Sequence, residues 1–151
     1  MKYVCSLIVV EDIERSRAFY EQILQQKVLV DFGANVSFEG GFAIHLKEHY
    51  EKLIGGLPPV FGSHSFELYF ETDAIDEIER ELKKEGAEFL HNIEEQPWGQ
   101  RVLRVYDPDR HIVDVGETME SLVARLHGQG KSVDEIHQKT SLPREYVEML
   151  I

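Results

Sequence analysis

The chain has 151 residues, 42% hydrophobic and 29% charged. That is enough to bury a core without disulfide or metal staples, and it fits one compact domain with an appendage. Sixteen Lys and Arg face 28 Asp and Glu, a formal net charge of -12, so a nucleic acid would meet repulsion over most of the surface. The single Cys5 excludes an internal disulfide and fits a reducing compartment. No apolar run is long enough to cross a bilayer. The N-terminal MKYVCSLIVVED has only strand length and ends in two acids, so no signal peptide is read there. The expectation is a cytoplasmic protein with neither nucleic acid nor membrane as partner.

In chain order, Tyr3 to Val10 is β-branched and apolar, a strand by propensity. Asp12 can cap the helix that follows, whose apolar stripe is Ile13, Ala18, Phe19, Ile23 and Leu24. Strands are expected over 27–32, 35–39 and 42–47, with a hairpin turn at Gly40-Gly41. A short helix ending at Gly55-Gly56 and the connector LPPVFG come next. A second series opens with a strand over 65–71, then a helix over 75–85 stopped by Gly86. Strands over 88–91, 102–106 and 111–115 complete it, the last two joined across the DPDR turn. Beyond 118, Met119, Leu122, Val123 and Leu126 have helical spacing. Ser132 with Glu135 reads as a capping box, and Pro143 suits the start of a last helix.

The two series are the same β-α-β-β-β unit written twice. Laying Ile13 on Ile75 offsets the copies by 62 positions, a supersecondary period. The same offset lays Cys5 on Glu67. Each copy ends in a strand with one polar residue of ligand chemistry, His45 in the first and Asp114 in the second. Strand alternation sets His45 apart from Phe42, Ile44 and Leu46, sets Glu67 apart from Phe66, Leu68 and Phe70, and sets Asp114 apart from Val113 and Val115. No nucleophile elbow, phosphate loop or dinucleotide fingerprint is present, so no organic cofactor is expected.

Two motifs, VVEDIERSRAFYEQIL near the start and WGQRVLRVYDPDRHIVDVGE near the end of the second copy, resemble the vicinal oxygen chelate superfamily. That group holds glyoxalases, extradiol dioxygenases and bleomycin-resistance proteins. The resemblance spans residues 1–117, with modules over about 1–56 and 63–117. It implies an α+β fold in which two tandem β-α-β-β-β modules form a curved mixed sheet with a cavity. Residues 118–151 lie outside it as a C-terminal helical extension. The resemblance also implies a homodimer and a small-molecule ligand or substrate.

Carried over position by position, the resemblance places metal ligands at Cys5, His45, Glu67 and Asp114. The cation would be zinc, nickel, manganese or iron, with Glu67 or Asp114 doubling as general base. Cys5 stands where the family commonly has histidine, and with His45 the lone imidazole among the four, the iron site of extradiol dioxygenases is absent. Arg104, Tyr69, Tyr106 and Trp98 are the candidate substrate-binding residues, arginine for an anionic group and the aromatics for stacking. The bland reading leaves all of these as polar or half-buried side chains on a solvated sheet. Three functions follow. The first is a metal-dependent lyase or isomerase of the glyoxalase type. The second is a metal-free protein that binds or sequesters a small molecule, as bleomycin-resistance proteins do. The third is an interaction module acting through the C-terminal helices, whose acidic would-be reading helix argues against DNA.

Overall fold

In the computed structural model, which describes residues 1–151, the chain resolves into two compact units. The first is Met1–Phe66 with Tyr106–Ile112; the second is Glu67–Val105 with Val113–Ile151.

The first unit holds β1 (Ser6–Val10), α1 (Ile13–Ala18), β2 (Val28–Asp31), β3 (Asn35–Phe38), β4 (Phe42–Leu46) and α2 (Lys47–Leu53). Its strands are ordered β1-β4-β3-β2, with β1 parallel to β4 and the other neighbours antiparallel. Asp12 caps α1 by accepting the Arg15 amide, and the helix relaxes into a π-helical turn over Phe19–Ile23. That turn buries Phe19 and Tyr20 against the stacked rings of Phe38 and Phe42. Tyr20 is fully buried, and the simple stripe had passed over it. The first strand starts at Ser6 rather than Tyr3 because its partner begins at Phe42. The Gly40-Gly41 turn lies before that point, so Tyr3 and Val4 find no strand to pair with and stay exposed.

The 106–112 turn belongs to this unit through two buried carboxylates. Asp107 accepts the Tyr20 hydroxyl at 2.8 Å, the His111 ring at 2.8 Å and the amides of Asp109 and His111. Asp109 accepts the Glu11 amide, the Arg15 guanidinium at 2.7 Å and the Ser16 hydroxyl. The two motifs that carry the family resemblance are thus hydrogen-bonding partners of each other. Arg110 takes a left-handed conformation at this turn, φ 67°, at a cost of about 1 kcal/mol. Its guanidinium lies 4.2 Å from the centre of the Tyr106 ring.

The second unit holds β5 (Glu67–Thr72), α3 (Ile75–Lys84), β6 (Phe89–Glu95), β7 (Arg101–Tyr106) and β8 (Ile112–Glu117), then α4 (Met119–Gly128), α5 (Val133–Thr140) and α6 (Arg144–Leu150); the strand-end residues Tyr106 and Ile112 group with the first unit. Its sheet order, β5-β8-β7-β6, repeats that of the first unit. In α3, Ile75, Ile78 and Leu82 form the buried face. Acids in its first turn and lysines in its last complement the helix dipole. β6 runs four residues past the expected end because Glu94 and Glu95 pair with Val102 and Arg101. Their low strand propensity hid this, since backbone pairing on an edge strand asks little of the side chains.

The C-terminal helices have their own core of Leu122, Val123, Leu126, Ile136 and Val147, flanked by Met119, Val133, Leu142 and Leu150. Thr118 caps α4, and Ser132 with Glu135 closes the expected capping box on α5. Pro143 sits at the N-cap of α6 rather than inside its first turn. No helix is long and apolar enough to cross a membrane.

Candidate functional site

Three of the expected site residues converge in the second unit. Glu67 opens β5, Arg104 lies in β7 and Asp114 in β8. The Arg104 guanidinium donates to Glu67 Oε2 at 3.1 Å and to Asp114 Oδ2 at 2.5 Å, bridging the two acids. A third contact runs from Arg104 to His91 Nε2 at 3.3 Å. His91 faces Arg104 in the β6–β7 register and turns its other ring nitrogen to the Asn92 carbonyl at 2.8 Å. With Nδ1 donating to that carbonyl, Nε2 is left as an acceptor for arginine.

Asp114 is the buried member, only 4% exposed, and its Oδ1 has no hydrogen-bond partner. Burial pushes its carboxyl up to about 6; Arg104 and His91 pull it down, while Glu67 pushes it further up. Desolvation outweighs the ion pair because one carboxylate oxygen is left without a donor.

Beside these lies a hydrogen-bonded chain of aromatic and amide groups. Trp98 Nε1 donates to Gln100 Oε1 at 3.0 Å. Gln100 Nε2 donates to the Tyr69 hydroxyl at 2.7 Å and to the Glu117 carbonyl at 2.8 Å. Tyr69 donates on to Glu71 at 2.8 Å. Partial burial and that bond push the Tyr69 phenol up to about 12, so it acts as a donor at neutral pH. Gly116 in β8 makes the arrangement fit, since a Cβ there would lie 2.7 Å from Gln100 Nε2 and 2.9 Å from the Tyr69 oxygen. Both rings keep about half their surface open, Tyr69 49% and Trp98 43%. Gln100 and Gly116 were not singled out in the sequence, where a glutamine in a loop and a glycine in a strand carry no chemical mark.

The remaining candidates belong to the first unit. His45, in β4, is 6% exposed, and both its ring nitrogens are engaged. Asn35 Nδ2 approaches Nδ1 at 3.2 Å, and Nε2 meets His49 Nδ1 at 2.6 Å. With Asn35 donating, His45 carries its proton on Nε2 and donates to His49. The Tyr50 ring stands edge-on to it. Burial, and secondarily the neighbouring His49, pull the His45 imidazole below its ordinary pKa. His49 is thus the partner of His45, across the strand-to-helix junction. Their i, i+4 spacing in HLKEH was the available signal. Cys5 is half-buried, just ahead of β1 and four residues before Val9, the residue paired with His45. Tyr106 accepts or donates a 2.8 Å bond with His64 and carries Arg110 on its ring.

The residues present do not fit a divalent cation. An ion between Glu67 and Asp114 would meet the guanidinium that already bridges them, and the His45 nitrogens are spent on neighbours. No group of three or more His, Cys, Asp or Glu side chains is placed to hold a metal ion.

The model of the glyoxalase-like domain family matches residues 3–120. A protein of unknown function from Agrobacterium tumefaciens str. C58 is 40% identical, with a TM-score of 0.72 over 79% of this chain and 95% of that one. A member of the glyoxalase/bleomycin resistance protein/dioxygenase superfamily from Sphaerobacter thermophilus DSM 20745 is 28% identical, with a TM-score of 0.57 over 78% and 98% of the two chains. A lactoylglutathione lyase from Agrobacterium tumefaciens shares the fold at 18% identity, TM-score 0.59, over 77% and 92%. No curated protein is significantly similar. The tandem units, the strand order repeated between them and the family match agree: the chain belongs to the glyoxalase-like domain family, within the glyoxalase/bleomycin resistance/dioxygenase superfamily.

Proposed function

We propose that this protein binds a small organic molecule on the face of the second unit that carries Tyr69, Trp98, Glu67 and Asp114, and that it does so without a divalent cation. The observation supporting this is the place of Arg104, whose guanidinium bridges the two carboxylates and supplies the positive charge a metal would bring. Two half-open rings offer stacking surface. The carboxylates of Glu67 and Glu71 alternate on the same side of β5. A planar ligand bearing N–H or ammonium donors complements that combination. The role is closest to the sequestering function of bleomycin-resistance proteins, and a homodimer and a cytoplasmic location belong to the same reading.

Thermal stabilisation by a panel of planar, amine-bearing compounds, with and without chelator, tests it. Stabilisation should appear and should be indifferent to EDTA. Stoichiometric divalent metal in protein purified without a histidine tag, lost together with ligand stabilisation on chelation, would refute it.

Asp114 supports a second reading. A buried carboxyl pushed up to about 6 can take up and return a proton close to neutral pH, which favours a lyase or isomerase in which Asp114 moves a substrate proton. Such an activity would fail in Asp114→Asn while ligand binding survived. The metal-dependent version of that reaction requires Arg104 to leave the carboxylates. Stabilisation of the wild type by added nickel or zinc alone, abolished by Asp114→Asn, would revive it.

A further inference from the structure

The family match ends at residue 120, so most of the C-terminal helical region is an addition to the common fold. Its polar contacts with the rest of the second unit fall in two places: Ser121 donates to Asp73 at 2.8 Å, and Arg125 and Lys139 reach the tip of the β6–β7 hairpin. That tip is a tight loop closed by Gln96 N–H to the Gln100 carbonyl and Gly99 N–H to the Gln96 carbonyl, both 2.8 Å. It carries Trp98, and Gln100 at its end anchors the indole and Tyr69.

Two cations from the added helices hold the loop. Arg125 of α4 donates to the Gly99 carbonyl at 2.6 Å, to Glu117 at 2.5 Å and to Glu95 at 3.3 Å. Glu117 is 3% exposed and also accepts the Arg101 amide at 2.8 Å, so one arginine joins the two strands that flank the loop. Lys139 of α5 closes the other side. Its ammonium pairs with Glu95 at 2.9 Å, and its stem lies over Gly99, where a Cβ would come within 2.7 Å of Lys139 Cε. Gly99 has φ +92°, a conformation that, together with this close approach, only glycine meets without strain. The helical core of Leu122, Leu126 and Ile136 fixes the elements from which both cations reach.

We infer that the C-terminal helices are a strap that sets the Trp98 loop, with Arg125 and Lys139 as positioning residues for the aromatic wall of the ligand site. This rests on the proposed binding face only for its consequence on affinity; the mechanical claim stands on the contacts. It gives the added helices a task within the chain, in place of recruiting a partner.

Trp98 is the only tryptophan, so its fluorescence reports on the loop without a label. In the full-length chain, Lys139→Ala should raise the acrylamide quenching constant of Trp98 about twofold and red-shift its emission, as a loop tip released to nanosecond motion does. Arg125→Met should do so more strongly. Lys139→Arg should restore the wild-type signal. Far-UV circular dichroism of each variant verifies folding; if Arg125→Met does not fold, Lys139→Ala with its Arg rescue decides alone. Unchanged quenching and emission in folded Lys139→Ala protein would overturn the strap. A freed Trp98 with ligand-induced stabilisation intact would uphold the strap and remove Trp98 from the binding face.

Discussion

The two units share one strand order and differ in how they treat the polar residue at matching places. In the first, His45 is a neutral imidazole sharing a proton with His49 and accepting from Asn35. In the second, Glu67 and Asp114 are held apart by an arginine from the neighbouring strand. Each unit ties these polar groups to neighbours by different chemistry, and Asp114 Oδ1 is the atom left without a partner. The duplicated backbone sets where a polar group emerges, and the neighbours on adjacent strands decide what it can do. The second unit adds two half-open rings joined through Gln100 and an unpartnered buried oxygen, which is why the ligand is assigned there.

The largest expected effect comes from breaking the bridge. Arg104→Met leaves Asp114 buried and unpaired, and at pH 8 it should lower unfolding stability by about 3 kcal/mol. The urea midpoint should fall with an unchanged slope. At pH 5, where Asp114 is protonated, most of that loss should vanish. An equal loss at both pH values would mean that Arg104 acts by packing alone.

Asp114→Asn sharpens the same point. The folded carboxyl is raised to about 6, above its unfolded value near 4. Its contribution is therefore full below about pH 4 and is lost as pH rises through about 6. Melting temperature plotted against pH should show the wild type losing ground to Asp114→Asn over that interval, and a flat difference would contradict the raised pKa.

His45 has the opposite sign. Its folded pKa is lowered, so the stability it contributes is present above the unfolded value and is lost as pH falls through the folded one. His49→Ala should move the His45 titration, followed by NMR, part of the way back up, because burial, the larger cause, remains. A downward shift would show that His49 had been stabilising the charged ring.

The smallest effect concerns the turns that close the β3–β4 and β7–β8 hairpins. The first uses Gly41 at φ 81°, the second Arg110 at φ 67°. Arg110→Gly relieves backbone strain and loses the contact with Tyr106. The two terms oppose each other, and stability should shift by less than about 1 kcal/mol. Arg110→Ala keeps the strain without the contact and should be the less stable variant.

The repeated β-α-β-β-β frame was readable because alternation and turn residues state it locally. The capping box at Ser132 and the DPDR turn were readable for the same reason. Glu67, Arg104 and Asp114 were each visible as candidates, but their mutual pairing was not, since it depends on which strands become neighbours and in what register. The same holds for His49, whose spacing from His45 was in view but whose ring direction was not. Gln100 and Gly116 were invisible: their roles are to fill and to vacate space, and neither leaves a mark in composition. The terminal helices could be located, while the hold of Arg125 and Lys139 on the Trp98 loop could not, because it joins residues distant in the chain.

The carboxylates of Asp107 and Asp109 have a consequence for synthesis. They complete hydrogen bonds for Glu11, Arg15, Ser16 and Tyr20, residues made nearly a hundred positions earlier. While the chain is still growing, the amino-terminal half can pair its strands, but the Tyr20 hydroxyl stays buried with its acceptor unmade until residue 107 leaves the ribosome. The first unit is thus finished only after β5, α3, β6 and β7 of the second have been made, and a chain stalled before that turn should present a loosened first helix to chaperones and proteases.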